Sequence, residues 1–219
     1  VTQPDQEQLK RRLGVTSRLR RFIVGSMGDA VAYSTLPYPP DKYGAIQERF
    51  AQAVERAGRL TRDGTDARLT VIAHSLGTVI ASDGLYNLQK FGRFPERLVL
   101  ANFFTLGSPI ALYGLRYGLD RFTRPIRPAV WINAYFPQDV IGYPLKPVND
   151  AYAEAVTEDL SLSPWGGTCW GRAIEQAVLA NIPYLGALLS HGWYFTDRRV
   201  LSRIAETLAG QWCAGPAPS

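Results

Sequence analysis

Histidine and cysteine are scarce in this chain, with two of each in 219 residues. They are His74, His191, Cys169 and Cys213. No Cys/His cluster has metal-ligand spacing, which argues against a structural zinc site, and no metal is expected. Two cysteines can pair, but spacing alone does not decide it, and two free thiols are the favoured reading. Long apolar runs are missing too. No window reaches the ~18 apolar residues that a helical membrane span needs. The best candidate, Ala177 to Leu189, is short and interrupted by Asn181 and Pro183. No apolar h-region opens the sequence, so no secretion signal is visible and a cytoplasmic location is expected. The net charge is +5, with Lys10, Arg11, Arg12, Arg18, Arg20 and Arg21 gathered near the start. No aromatics interleave these cations, which argues against a nucleic-acid surface. The solvated face of a first helix is the simpler reading; an anionic membrane surface is the other partner such charge would suit.

What the chain does contain is centred on Arg68-Leu-Thr-Val-Ile-Ala-His-Ser75-Leu-Gly-Thr-Val-Ile80. Leu69 to Ala73 are apolar or β-branched and predict a strand buried on both faces of a parallel sheet. Thr78 to Leu88 predicts a helix. A serine at the apex of a tight strand-to-helix turn is the nucleophile elbow, G-x-S-x-G, with Ala73 here in place of the first glycine. Small residues two before and two after the serine are expected because bulk there would strike the neighbouring strand or helix. The turn exposes Ser75 Oγ and aims the Leu76 N–H at the same space.

The rest of the chain alternates strands and helices. Tyr43 to Arg59 predicts a helix, with Ile46, Phe50, Val54 and Ala57 on one face. Leu98 to Leu106 predicts a second buried strand and Val130 to Phe136 a third. Ile110 to Leu119 reads as helical. Ala151 to Val156 reads as a fourth, short strand. The last helix is expected from about Asp197 to Ala209. This alternation implies one α/β domain over residues 1–219, a three-layer α/β/α sandwich around a mostly parallel sheet. Within it, residues 1–42 form a basic N-terminal region and residues 160–190 a candidate cap or substrate loop. Residues 213–219 form a loose tail.

A serine hydroxyl needs a base before it attacks at neutral pH. His74 adjoins Ser75, so its side chain should point away from Oγ and pack behind the turn. That leaves His191, in a loop before the last helix, as the base. The orienting acid should lie between Ser75 and His191 at the carboxyl end of a strand. Asp139, just after the third strand, fits best; Asp150 is the competitor, and Asp120, Glu154, Glu158 and Asp159 are less well placed. Ser108, Ile110, Trp165 and Trp193 are candidate substrate contacts, although large aromatics are also ordinary core residues.

Ala-His-Ser-Leu-Gly on a strand-turn-helix, Gly107-Ser-Pro109 after the next strand, Trp-x-Asn in the strand before Asp139, and Ser190-His-x-x-Tyr194 before the last helix together resemble serine esterases and lipases of the α/β-hydrolase superfamily. The likeness spans roughly residues 43 to 209. It implies hydrolysis of a carboxylic ester or thioester, lipid-like substrates included, through an acyl-enzyme on Ser75 and without a cofactor. His191 would be the base, Asp139 the orienting acid and Leu76 N–H one oxyanion donor. Such enzymes usually draw a second donor from an upstream His-Gly loop. This chain has no histidine before His74, so Phe22-Ile-Val-Gly-Ser-Met27 would have to substitute, or N-terminal strands are lacking. A weakly active binding or scaffold protein of the same fold, an acyltransferase and a thioesterase are the alternative readings.

Overall fold

A computed structural model describes residues 41–60, 66–117, 127–162 and 190–213. The chain divides into two compact units, Val1–Arg49 and Phe50–Ser219. Of the first unit only residues 41–49, the opening half of a helix, are described. The elements run α1 (Asp41–Gly58), β1 (Ala67–His74), α2 (Leu76–Lys90), β2 (Leu98–Leu106), α3 (Ile110–Tyr117) and β3 (Val130–Tyr135). A 3-10 turn (Lys146–Val148), α4 (Asp150–Ala155), β4 (Glu158–Ser161), a second 3-10 turn (Trp193–Phe195) and α5 (Arg198–Cys213) follow. The class is α/β. The four strands form one all-parallel sheet in the order β1-β2-β3-β4.

Each crossover steps to the next strand in the same direction. Right-handed crossovers then put the connecting helices on one face of the sheet. Packing agrees. On that face Phe103 of β2 meets Trp131 of β3, whose ring lies 5.5 Å from Tyr152 of α4. Leu88 of α2 packs with Leu98 and with Ala51 and Val54 of α1. The opposite face belongs to α5, where Val200 joins Leu106, Ala134 and Leu160, with Ile204 packed alongside. A register shift between Leu69 and Thr70 makes Ala101 an extra residue in β2. Such a bulge reverses which side chains face which layer. It lets Leu98 and Leu100 serve the α1/α2 side, and Phe104 and Leu106 the α5 side.

Two sequence expectations are corrected. Among the described residues β1 lies at the edge of the sheet, with Ile72 47% exposed and only Ala73 of the strand buried. The strand buried along nearly its whole length is β2. An apolar run signals a strand but does not say whether a neighbour covers it. The second correction is the fourth strand. Residues 150–155 are helical, and β4 lies just beyond them at Glu158–Ser161. Residues 1–40 of the basic region, the centre of the candidate cap (163–189), Cys169 and the residues after Cys213 lie outside the described residues. No described helix is long and apolar enough to cross a membrane.

Candidate active site

The sheet brings three strand ends to one level. Ser75 N–H donates to the Leu106 carbonyl at 3.0 Å, and Gly107 N–H donates to that of Ala134, also at 3.0 Å. Ser75 sits between β1 and α2 with φ 55° and ψ −134°, the one non-glycine residue with positive φ among the described residues. It is also the N-cap of α2, yet its hydroxyl makes no capping bond. Capping is the usual use of such a hydroxyl; here the turned backbone aims it elsewhere. Thr78 Oγ1 instead holds the turn by donating to the Ser75 carbonyl at 2.8 Å. Leu76 opens α2, so its N–H is one of the first-turn donors that have no intrahelical acceptor.

The Ser75 hydroxyl lies 2.8 Å from His191 Nε2. On the other side of the ring, Nδ1 lies 2.8 Å from Asp139 Oδ2. A carboxylate only accepts, so Nδ1 carries the hydrogen and Nε2 is left to accept from the serine. His191 and Asp139 are each 3% exposed, whereas Ser75 is half-buried. Asp139 follows β3 in a turn closed by its own N–H on the Phe136 carbonyl. Ile141 N–H donates to Oδ1 at 3.1 Å, and the Tyr194 hydroxyl donates to Oδ2 at 2.7 Å. Burial alone would raise the pKa of Asp139. The hydrogen bond and charge of His191, aided by the Ile141 and Tyr194 donors, outweigh it and hold the carboxyl below its ordinary 3.8.

His74 stands behind this line. Its Nε2–H donates to the His191 backbone carbonyl at 2.8 Å, and its ring lies 4.7 Å from the His191 ring. Burial pushes its pKa below the ordinary 6.5, more than the bond to the carbonyl restores, so it is neutral at pH 7. The placement behind the turn is the one its sequence position suggests.

A buried polar ladder fixes the loop that carries Asp139. Thr105 Oγ1 donates to Asn133 Oδ1 at 2.9 Å, and Asn133 Nδ2 donates to Asp159 Oδ1 at 2.7 Å and to the Tyr143 carbonyl at 3.0 Å. Asp159 then accepts from the Leu145 and Lys146 N–H groups. The loop between β3 and the first 3-10 turn is thus held from inside the sheet.

The structure therefore brings Ser75, Asp139 and His191 together, with Leu76 N–H beside them. Asp150 is exposed at the start of α4 and takes no part. The proposed substrate contacts fare differently. Ser108 and Ile110 are both completely buried: Ser108 Oγ is 2.8 Å from Thr78 Oγ1 and accepts from Ile110 N–H. Through Thr78, Ser108 braces the serine turn from within. Trp193 is half-buried, edge-on to Phe136 and packed on the α5 side, so it serves the core. Trp165 and Phe22 to Met27 lie outside the described residues. The crowding expected at Gly77 is not found, since a Cβ there meets nothing within 4 Å among the described residues. Around Asp139 the tight glycines are Gly107, at φ 56° with Tyr194 Cε2 2.6 Å from an added Cβ, and Gly142, where that Cβ would lie 2.7 Å from Asp139 Oδ2. Sequence reasoning missed the part played by Tyr194, Asn133 and Asp159. The signal available was a polar residue within an otherwise apolar strand, and a tyrosine one turn after the histidine. Among known proteins, no family model, no curated sequence and no solved structure matches this chain.

Proposed function

We propose that the chain is a serine hydrolase with a three-layer α/β-hydrolase fold that cleaves carboxylic esters, lipid-like ones included. His191 Nε2 accepts the Ser75 proton as Oγ attacks the acyl carbon. The carbonyl oxygen becomes an oxyanion, and Leu76 N–H, at the positive end of α2, donates to it. The resulting imidazolium is stabilised by Asp139, and it returns its proton to the departing alcohol as the C–O bond breaks. Water then attacks the acyl-enzyme with His191 again as base, releasing the acid and restoring Ser75. The observation that carries the reading is the unbroken hydrogen-bonded line from Ser75 through His191 to Asp139, two bonds of 2.8 Å each.

A fluorophosphonate probe tests it. The protein is expected to be labelled and to hydrolyse p-nitrophenyl esters with an initial burst. Ser75→Ala should abolish both. Labelling that survives that substitution, or a folded protein showing neither labelling nor burst, overturns the reading.

A further inference from the structure

We propose that Tyr194 is a positioning residue: its hydroxyl, set between the Phe136 N–H and Asp139 Oδ2, fixes the carboxylate that aligns His191 on Ser75. The inference deepens the serine-hydrolase reading and rests on it for its kinetic test. Tyr194 is completely buried. Its oxygen accepts from Phe136 N–H at 3.1 Å, at the end of β3, and donates to Asp139 at 2.7 Å. One side chain therefore joins the strand end, the acid and the histidine loop. The Asp139 oxygen it uses is the one that also accepts from His191 Nδ1. Two donors on one oxygen share its negative charge, so the tyrosine sets both where the carboxylate points and how strongly it holds an imidazolium. Burial first, and then the charge of Asp139, push the Tyr194 phenol far above its ordinary 10.0, so it stays a donor. Gly107 and Gly142 leave the room: a Cβ on either would collide with this tyrosine or this carboxylate. Among the described residues, the titratable groups facing the Tyr194 ring are Asp139, His191 at 6.3 Å and His74 at 5.7 Å between ring centroids.

Tyr194→Phe keeps the ring and removes the hydroxyl. Fluorophosphonate labelling of this variant is expected to slow roughly tenfold at the pH plateau, the loss of one charge-assisted hydrogen bond. The acid limb of its rate profile should move to higher pH, because Asp139 no longer shares its charge. Fluorotyrosine at position 194, a stronger donor of nearly the same shape, should move that limb the opposite way. The low-field proton resonance of His191 Nδ1–H should shift in both proteins, with or without any catalysis. Opposite limb shifts with a displaced resonance support the proposal. A folded Tyr194→Phe or fluorotyrosine protein with unchanged limb and resonance overturns it. Should wild type fail to label, the function is wrong, and the resonance alone still decides the role of Tyr194.

Discussion

Ser75 holds a backbone conformation that only glycine adopts freely. Keeping a side chain there costs on the order of 1–3 kcal/mol, stored at the point where the hydroxyl is delivered. Two substitutions separate this strain from the chemistry. Ser75→Ala removes the hydroxyl and keeps the strain, whereas Ser75→Gly removes both. The glycine variant is therefore expected to be more stable than the alanine variant by about 1 kcal/mol in urea melts, although neither should label. Equal stabilities would mean that the turn is relaxed. Much of this arrangement was legible from residues alone, because a serine between an apolar run and a helix admits few readings, and two histidines leave one choice of base. Tyr194 was not, because its meaning depends on a carboxylate 55 positions away. The depth of Ser108 and Ile110 was not legible either. They follow a strand at the level of the serine, but that level includes the layer beneath the turn as well as the surface above it.

Secondary elements were read well where local pattern and packing agree. β2 spans the residues expected of it, and β3 ends one residue early. The failure was at the fourth strand. Asp150-Ala-Tyr-Ala-Glu-Ala155 is rich in helix formers, and the Asn149 side chain caps it by accepting from Tyr152 N–H at 3.0 Å. Glu158-Asp159-Leu160-Ser161, by contrast, has little strand character of its own. It is held by partners far away in sequence: Glu158 by Arg203 of α5, and Asp159 by Asn133 and the two loop N–H groups. Asp159→Ala should accordingly destabilise the protein by about 2–4 kcal/mol in urea melts, since it leaves several partly buried donors without an acceptor. A loss below about 0.5 kcal/mol would show that water replaces the carboxylate and that the ladder does not fix the loop.

At the scale of the whole molecule, the buried ionisable groups make stability depend on pH. His74 binds its proton less readily in the folded chain than in the unfolded one. Its contribution is therefore complete above about 6.5 and is lost as pH falls through that value toward the folded pKa. Asp139 is depressed as well, so its contribution is present above 3.8 and disappears as pH falls through its lower folded pKa. Urea melts between pH 8 and 5 should show the first loss, and His74→Gln should flatten it; an equally steep decline in that variant would assign the effect elsewhere. The same His74 has a mechanical consequence. It immediately precedes Ser75, yet it grips the main chain of a residue 117 positions later. The histidine loop is thus latched at two adjoining links, one through the imidazole of His191 and one through its carbonyl. Lifting that loop unfastens both together. Any opening of this loop therefore parts His191 from Ser75 and frees its main chain in a single movement.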